Sequence, residues 1–134
     1  MRIEEFYIGQ TASLKKTFST EEVKAFAELS LDRNPIHLDE AYAEQSRFGK
    51  RIVHGFFVGS LISAVFGTIL PGEGAIYLHQ EMNFRKPVFH DDIITATVEI
   101  KDIQADKLIL YFDTKCENDR GEVVIDGRAI IKLL

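Results

Sequence analysis

The sequence has few of the residues that would place it in a specialised class of protein. It holds a single cysteine, Cys116, so no disulfide can form within the chain, and the surrounding strand pattern predicts a small apolar side chain. Acidic residues outnumber basic ones, which gives a net charge of −5. A nucleic-acid-binding protein would instead carry a basic patch. The N-terminal stretch MRIEEFYIGQ lacks the apolar run of a signal peptide. We therefore expect a cytoplasmic protein with no nucleic-acid partner.

Only one long apolar stretch is present, Ile52–Leu70, and it ends sharply at Pro71-Gly72. As a helix it would be apolar on nearly every face, which is typical of burial. A membrane span needs about 20 apolar residues. Several residues here are glycine or serine, so we expect no membrane partner. The glycines Gly55, Gly59 and Gly67 indicate that another backbone or a ligand comes close. The stretch predicts a buried central helix.

The segments on either side of this helix have different periodicities. Before it, residues 12–18 alternate as a strand, and Ser19 with Glu22 forms a capping box that begins a helix ending before Pro35. Asp39 is the predicted N-cap of a further short helix. After the central helix a period of two continues to the C-terminus. The strands predicted there cover residues 75–84, 94–100, 108–113 and 122–132.

These elements predict a single α+β domain that covers residues 1–134. With 46% hydrophobic and 28% charged residues the composition is ordinary for a globular domain, and the length is enough for one core. Strands joined by short turns pair antiparallel, and the helices are grouped together in the chain. We predict the hot dog architecture, in which an antiparallel sheet of about five strands wraps around a long central helix.

Two residues suited to acid–base chemistry flank a proline turn. Asp32 and His37 are five residues apart, and Pro35 restricts the backbone between them. A carboxylate and an imidazole on an ordered loop are what the activation of a water molecule requires. The same spacing also suits an Asx-turn at the aspartate and a histidine that only packs. The spacing alone leaves both interpretations open.

The residues around this turn are more specific. The D-x-N-P-x-H turn Asp32–His37, the V-H-G entry to the central helix at Ile52–Gly55, and the later segment Phe84–Val88 with Asp91-Asp92 resemble the MaoC-like (R)-specific enoyl-CoA hydratases, also called hydratase 2. The likeness covers essentially the whole chain. One departure is Leu31, because many members of that family have glycine before the aspartate.

The resemblance implies a reversible hydration of trans-2-enoyl-CoA to (R)-3-hydroxyacyl-CoA. In that family Asp32 and His37 would hold one water molecule between them, and the backbone N–H of Gly55 would bind the thioester carbonyl. A donor at the start of a helix suits that oxygen, because negative charge develops on it as C3 is attacked. No cofactor is expected, since coenzyme A is part of the substrate. Thioesters of acyl carrier protein are a close variant.

Four further residues are candidates for substrate binding. Asn34 is expected to orient the loop, and Ser63 matches a family position near the acyl group. Phe57 and Phe66 are candidates for the lining of an acyl tunnel, although each is also an ordinary core residue.

The other histidines are expected to have structural roles, and no metal site is expected. His54 belongs to the V-H-G element and is expected to fix the backbone near the site. His79 lies in a predicted strand. His90 precedes Asp91-Asp92, but adjacent side chains converge poorly on one metal ion.

Assembly into a homodimer or a higher homo-oligomer is expected, because a sheet of this kind leaves an open edge. Family members dimerise by extending the sheet, with coenzyme A at the interface. The basic pairs Lys50-Arg51 and Arg85-Lys86 are candidates for contact with its phosphates. Two other functions stay open, an acyl-CoA thioesterase and a non-catalytic module that binds acyl thioesters. The D-x-N-P-x-H turn counts against the first, and the presence of both Asp32 and His37 counts against the second.

Overall fold

The computed structural model describes residues 2–134, which form one antiparallel sheet around a central helix. Short 3₁₀ turns lie at Ile3–Glu5 and Ala105–Lys107. The helices are α1 (Thr20–Ser30), α2 (Pro35–Leu38), α3 (Glu40–Glu44) and α4 (Gly55–Thr68). The strands are β1 (Thr11–Thr17), β2 (Ala75–Gln80), β3 (Asn83–Phe84), β4 (Ile93–Gln104), β5 (Ile109–Asn118) and β6 (Val123–Leu133).

The sheet confirms the predicted α+β hot dog architecture. Its strand order is β1-β4-β5-β6-β2, with the short β3 also paired to β6, so there are five long strands and one of two residues. Every pair is antiparallel. β1 and β2 form the two edges of this sheet.

The predicted continuous strand over residues 75–84 is wrong, because the chain breaks there into β2 and β3. The register on β6 shifts between Tyr77 and His79. The carbonyl of Glu81 then lies over Gly127, so close that a Cβ on the glycine would be 1.8 Å from that oxygen. Only glycine lets the two backbones approach in this way.

The central helix is also shorter than predicted, since α4 begins at Gly55 and not at Ile52. Ile52 pairs with Phe89 in an isolated bridge, and the N–H of Val53 donates to the carbonyl of Val88 at 2.7 Å. These backbone groups bond across to another segment, so the helix starts only after them.

Burial of α4 is one-sided, so the expectation that nearly every face is buried is wrong. A stripe along the helix is exposed, formed by Phe56, Ser60, Ser63 and Gly67. A Cβ on Gly67 would meet nothing within 4 Å. The opposite face is buried against the sheet and consists of Val58, Gly59, Leu61, Ile62, Val65 and Phe66.

The core lies between this face and the inner face of the sheet. Ile94, Ala96, Val98 and Ile100 are fully buried, which confirms the alternation predicted for β4. Cys116 is buried as well, and burial raises the pKa of its thiol to about 12, so it packs as an apolar side chain. None of the helices within residues 2–134 is both long and apolar enough to cross a bilayer.

The start of α1 is as predicted, and its end shows that the backbone conformation of Leu31 is one that suits glycine. The Ser19 side chain accepts from the N–H of Glu22, and the Glu22 side chain bonds back to the backbone of Ser19. Leu31 forms the C-cap with φ 69° and ψ 6°, in the left-handed region. A glycine takes up this conformation without strain, whereas a leucine pays a steric penalty.

Replacing Leu31 with glycine is therefore expected to stabilise the fold by about 1 kcal/mol. The side chain is 72% exposed, so little burial is lost. Leu29→Gly is the matched control, because Leu29 is 85% exposed but lies within the helix, where glycine destabilises. Urea unfolding should move the two midpoints in opposite directions; a lower midpoint for Leu31→Gly would contradict the strain argument.

Candidate active site

The predicted catalytic turn contains the single-turn helix α2, which carries His37. The Asn34 side chain caps it by accepting from the N–H of Ile36 at 3.2 Å, and Pro35 occupies the first helical position. The Asp32 carboxylate accepts from the N–H of Asn34 at 3.2 Å, which is an Asx-type contact. Asp32 thus has the turn-forming contact and still presents an exposed carboxylate.

Asp32, His37 and His54 form one cluster, although they are distant in sequence. One carboxylate oxygen of Asp32 and one ring nitrogen of each histidine lie within 4.8 Å of one another. His37 is 8% exposed and His54 is 2% exposed, whereas Asp32 faces solvent. The cluster therefore combines an accessible carboxylate with two buried imidazoles.

The hydrogen bonds of His37 define its tautomer. Its Nδ1 is 2.9 Å from the carbonyl oxygen of Ile52. A carbonyl can only accept, so Nδ1 carries the proton and Nε2 has a free lone pair. Burial lowers the pKa of His37; the bond to Ile52 opposes this, nearby His54 adds to it, and Asp32 opposes it. His37 is therefore a neutral proton acceptor at physiological pH.

His54 bonds to the backbone of the predicted catalytic turn, as expected from the sequence. Its Nε2 donates to the carbonyl oxygen of Asp32 at 2.9 Å. Its ring stacks on that of His37, with centroids 3.8 Å apart and planes at 25°. Its Nδ1 is buried without a hydrogen-bond partner in the described part of the chain. A buried polar atom without a hydrogen bond lowers the stability of the fold, and such destabilising features are expected at functional sites.

The N-terminus of α4 lies beside the cluster of Asp32, His37 and His54, and it has no side-chain cap in the described chain. Ser19, Asn34 and Asp39 cap the other three α-helices, whereas among residues 2–134 no side chain accepts from the first N–H groups of α4. The first N–H groups of a helix are donors with no partner inside it. At Gly55 a Cβ would lie 2.6 Å from Cε1 of Phe84, so the ring packs directly on this backbone.

A cleft of about 470 Å³ opens beside this helix start. His37 is outside its lining but stacks on His54, which is part of it. Distant strands supply one wall, since Phe84 lies on β3 and Ile125 on β6. Phe84 begins the segment Phe84–Val88 that is part of the family resemblance, whereas no local sequence signal marks Ile125. Besides Asp32, His54 and Gly55 the lining is Arg47, Phe48, Ile52, Val53, Phe56, Val58, Phe84, Arg85, Lys86, Pro87, Val88 and Ile125.

The residues predicted to bind substrate are dispersed. Phe57 stacks on Phe26 at 4.8 Å, away from the cleft. Phe66 packs in the core on Phe112 at 4.7 Å. Ser63 is exposed and lines a second, smaller cleft beside α4 of about 280 Å³. A contact of these side chains, or of Asn34, with an acyl chain stays a prediction.

The basic pairs differ in their surroundings. Arg85 pairs with Asp126, and Lys86 with Glu122, on the rim of the cleft. Arg51 pairs with Glu40 and also donates to the carbonyl of Leu38 at 3.3 Å, so it supports the predicted catalytic turn. The unpredicted Arg47 also lines the cleft, in contact with the ring of Phe48.

The sequence around His90, Asp91 and Asp92 does not form a cluster of metal ligands. Both ring nitrogens of His90 are bonded, to Thr20 Oγ1 and to the carbonyl oxygen of His37. Within residues 2–134, the group that could hold a metal ion is Asp32 with His37 and His54. Since His54 Nε2 bonds to the backbone, the acceptors left in this group are the Asp32 carboxylate, Nε2 of His37 and Nδ1 of His54.

Comparison with known proteins identifies the family. The model described as a MaoC like domain matches residues 7–118. An (R)-specific enoyl-CoA hydratase of Aeromonas caviae is 43% identical over 99% of each chain. A mitochondrial 3-hydroxyacyl-[acyl-carrier-protein] dehydratase of Arabidopsis thaliana is 38% identical, over 91% of this chain and 74% of that one.

The solved structures agree with this assignment. The (R)-hydratase from A. caviae involved in PHA biosynthesis superposes with a TM-score of 0.95 at 43% identity, over 98% of this chain and 99% of that one. The chain belongs to the MaoC-like dehydratase family.

The site geometry predicts that His37 titrates below the ordinary histidine value of about 6.5. Burial of its ring disfavours the protonated form, and protonation of Nε2 would place a charge against His54. NMR titration of ¹⁵N-labelled imidazoles measures this, with His37→Gln to assign the signal. A His37 pKa above the ordinary value would contradict the neutral state of the ring.

Proposed function

We propose that this protein catalyses the (R)-specific hydration of trans-2-enoyl-CoA to (R)-3-hydroxyacyl-CoA, and the reverse dehydration. One observation carries the proposal: a carboxylate oxygen of Asp32 and a ring nitrogen of His37 lie within 4.8 Å of each other. A single water molecule at about 2.8 Å from each therefore fits between them. The names of the relatives support the same reaction.

The water molecule would donate one hydrogen bond to the Asp32 carboxylate and one to Nε2 of His37. Its oxygen forms the new bond to C3 while one of its O–H bonds breaks, and the pair takes up that proton. The electrons of the double bond move towards the thioester, and Asp32 and His37 then return a proton to C2. Because the two groups are coupled, the proton belongs to the pair rather than to one residue.

The backbone N–H of Gly55 would bind the thioester carbonyl during this step. It is the first residue of α4, and the absence of a side-chain cap in the described chain leaves this turn open to a ligand. Negative charge develops on the carbonyl oxygen as C3 is attacked, and a helix N-terminus favours such charge. Loss of one donor of this kind costs about 3 kcal/mol of barrier.

The reaction adds water to a double bond and transfers no electrons, so we propose that it needs no cofactor beyond the coenzyme A of its substrate. Arg47, Arg85 and Lys86 on the rim of the cleft would contact the coenzyme A phosphates. The same residues would serve a thioester of acyl carrier protein. A cytoplasmic location stays a prediction.

We further propose a homodimer built on the open edge at β2. Within residues 2–134 this strand pairs only with β6, and three of its large apolar side chains, Ile76, Tyr77 and Leu78, are 37%, 40% and 51% exposed. The exposed stripe of α4 lies on the same side, since Phe56 and Ser63 line the second cleft together with Tyr77. An unpaired, apolar edge beside an open helix face favours pairing with a second copy.

The first experiment follows the absorbance of the conjugated thioester with crotonyl-CoA as substrate. Wild type should consume it, and Asp32→Asn or His37→Gln should lower kcat by about 10²–10⁴-fold, because each removes a basic group that can take up a proton from the water molecule. Asp119→Asn is the matched control, since Asp119 is exposed in the turn after β5. A wild type inert on crotonyl- and longer enoyl-CoAs would contradict the proposal, and release of free thiol would identify a thioesterase.

The dimer is tested with Leu78→Glu, which should lower the molecular mass in solution from that of two chains to that of one. A two-fold axis at the edge would bring two such carboxylates together without compensation. Leu29→Glu, on exposed α1, is the matched control. A monomeric wild type, or a Leu78→Glu variant that remains dimeric, would exclude this edge as the interface.

A further inference from the structure

The helix that carries His37 cannot hold itself in place. With four residues, α2 is a single turn, and isolated turns of helix are unstable because nucleation is unfavourable. Its terminal carbonyls need hydrogen-bond donors from outside the turn. Each carbonyl of α2 has one: Pro35 O accepts from Asp39 N at 2.9 Å, Ile36 O from Ile52 N at 3.2 Å, His37 O from His90 Nε2 at 2.9 Å and Leu38 O from Arg51 Nη1 at 3.3 Å.

Two of these four donors are side chains, and His90 makes the shorter bond. Its Nε2 donates to the carbonyl of His37, so its Nδ1 accepts from the hydroxyl of Thr20 at 2.9 Å. The turn that carries His90 is itself pinned, because the N–H of Asp91 donates to the carbonyl of Phe18 at 2.6 Å. His90 therefore links the catalytic turn to the start of α1 and to the segment before β4.

We propose that His90, assisted by Arg51, is a positioning residue that holds α2 so that Nε2 of His37 and the Asp32 carboxylate share one water molecule. The inference rests on the proposed hydration and extends it to residues that do not touch the substrate. The ring of His37 is fixed on one side by Ile52, and its backbone is fixed on the other side by His90. Without the second attachment α2 is free to tilt.

The charges around His90 are compatible with this role. Arg51, Asp91 and His37 are the titratable groups that face its ring. Burial lowers the pKa of His90, and Arg51 lowers it further, while the bond to His37 and the charge of Asp91 act in the other direction. His90 is therefore neutral at physiological pH, which leaves Nδ1 as the acceptor for Thr20.

The decisive variants are His90→Leu, which removes the donor, and His90→Gln, which keeps an N–H that can reach the same carbonyl. His90→Leu should lower kcat for crotonyl-CoA by about 10²-fold, since a shift of about 1 Å in a catalytic group has this effect. KM should change little, because His90 is outside the cleft lining. His90→Gln should recover most of kcat.

A second readout does not depend on turnover. Loosening α2 exposes the ring of His37 to water, so its pKa measured by NMR should rise in His90→Leu towards the ordinary value and return in His90→Gln. A role in stability alone would lower the unfolding temperature without changing this pKa. If wild type hydrates no enoyl-CoA, the proposed function fails, but the His37 titration still decides the role of His90.

Thr20→Val keeps the proposal testable if His90→Leu does not fold. It removes the hydroxyl that orients the His90 ring, and it should lower kcat and raise the pKa of His37 in the same directions by smaller amounts. Thr17→Val, at the exposed end of β1, is the matched control and should change neither. An unchanged kcat and an unchanged His37 pKa in folded His90→Leu, or in Thr20→Val, would overturn the proposal.

Discussion

The backbone of Ile52 is the connection on which the candidate site depends. Its N–H donates to Ile36, its carbonyl accepts from His37, and it pairs in a bridge with Phe89. One extended residue thus joins the catalytic turn to the segment that carries His90. Because backbone groups buried in a loop must find partners, this pairing attaches one side of α2 and fixes the residue at which α4 begins. Backbone bonds thus orient the ring of His37, while the side chain of His90 bonds to the other side of the same turn.

The region around the candidate site contains several features that lower the stability of the fold. Leu31 has a left-handed backbone, α4 lacks a side-chain cap in the described chain, and Nδ1 of His54 is buried without a partner there. Each of these lowers stability, and together they surround the cleft that holds Asp32 and Gly55. Such departures from the best local choice concentrate at functional sites, where the arrangement serves binding or chemistry instead of folding.

Local sequence patterns predicted the structure correctly where the interacting residues are close together in the chain. The capping box at Ser19, the N-cap at Asp39 and the alternation in β4 have all formed as predicted, because their partners are at most a few residues away. The errors concern long-range pairing. The break between β2 and β3 depends on the approach of Glu81 to Gly127, and the late start of α4 depends on bonds to residues 88–89.

The sequence by itself determined the fold class, the candidate pair Asp32 and His37, and the likeness that identified the family. The fold class and the pair rest on periodicity and on a motif of six residues, and the likeness rests on short motifs at several places in the chain; each of these is written locally. Only the tertiary structure decided the tautomer of His37 and the attachment of His90 to the catalytic turn. The physical reason is that hydrogen bonds between segments 15 and 53 residues apart depend on how strands and loops meet in space, which no local pattern encodes.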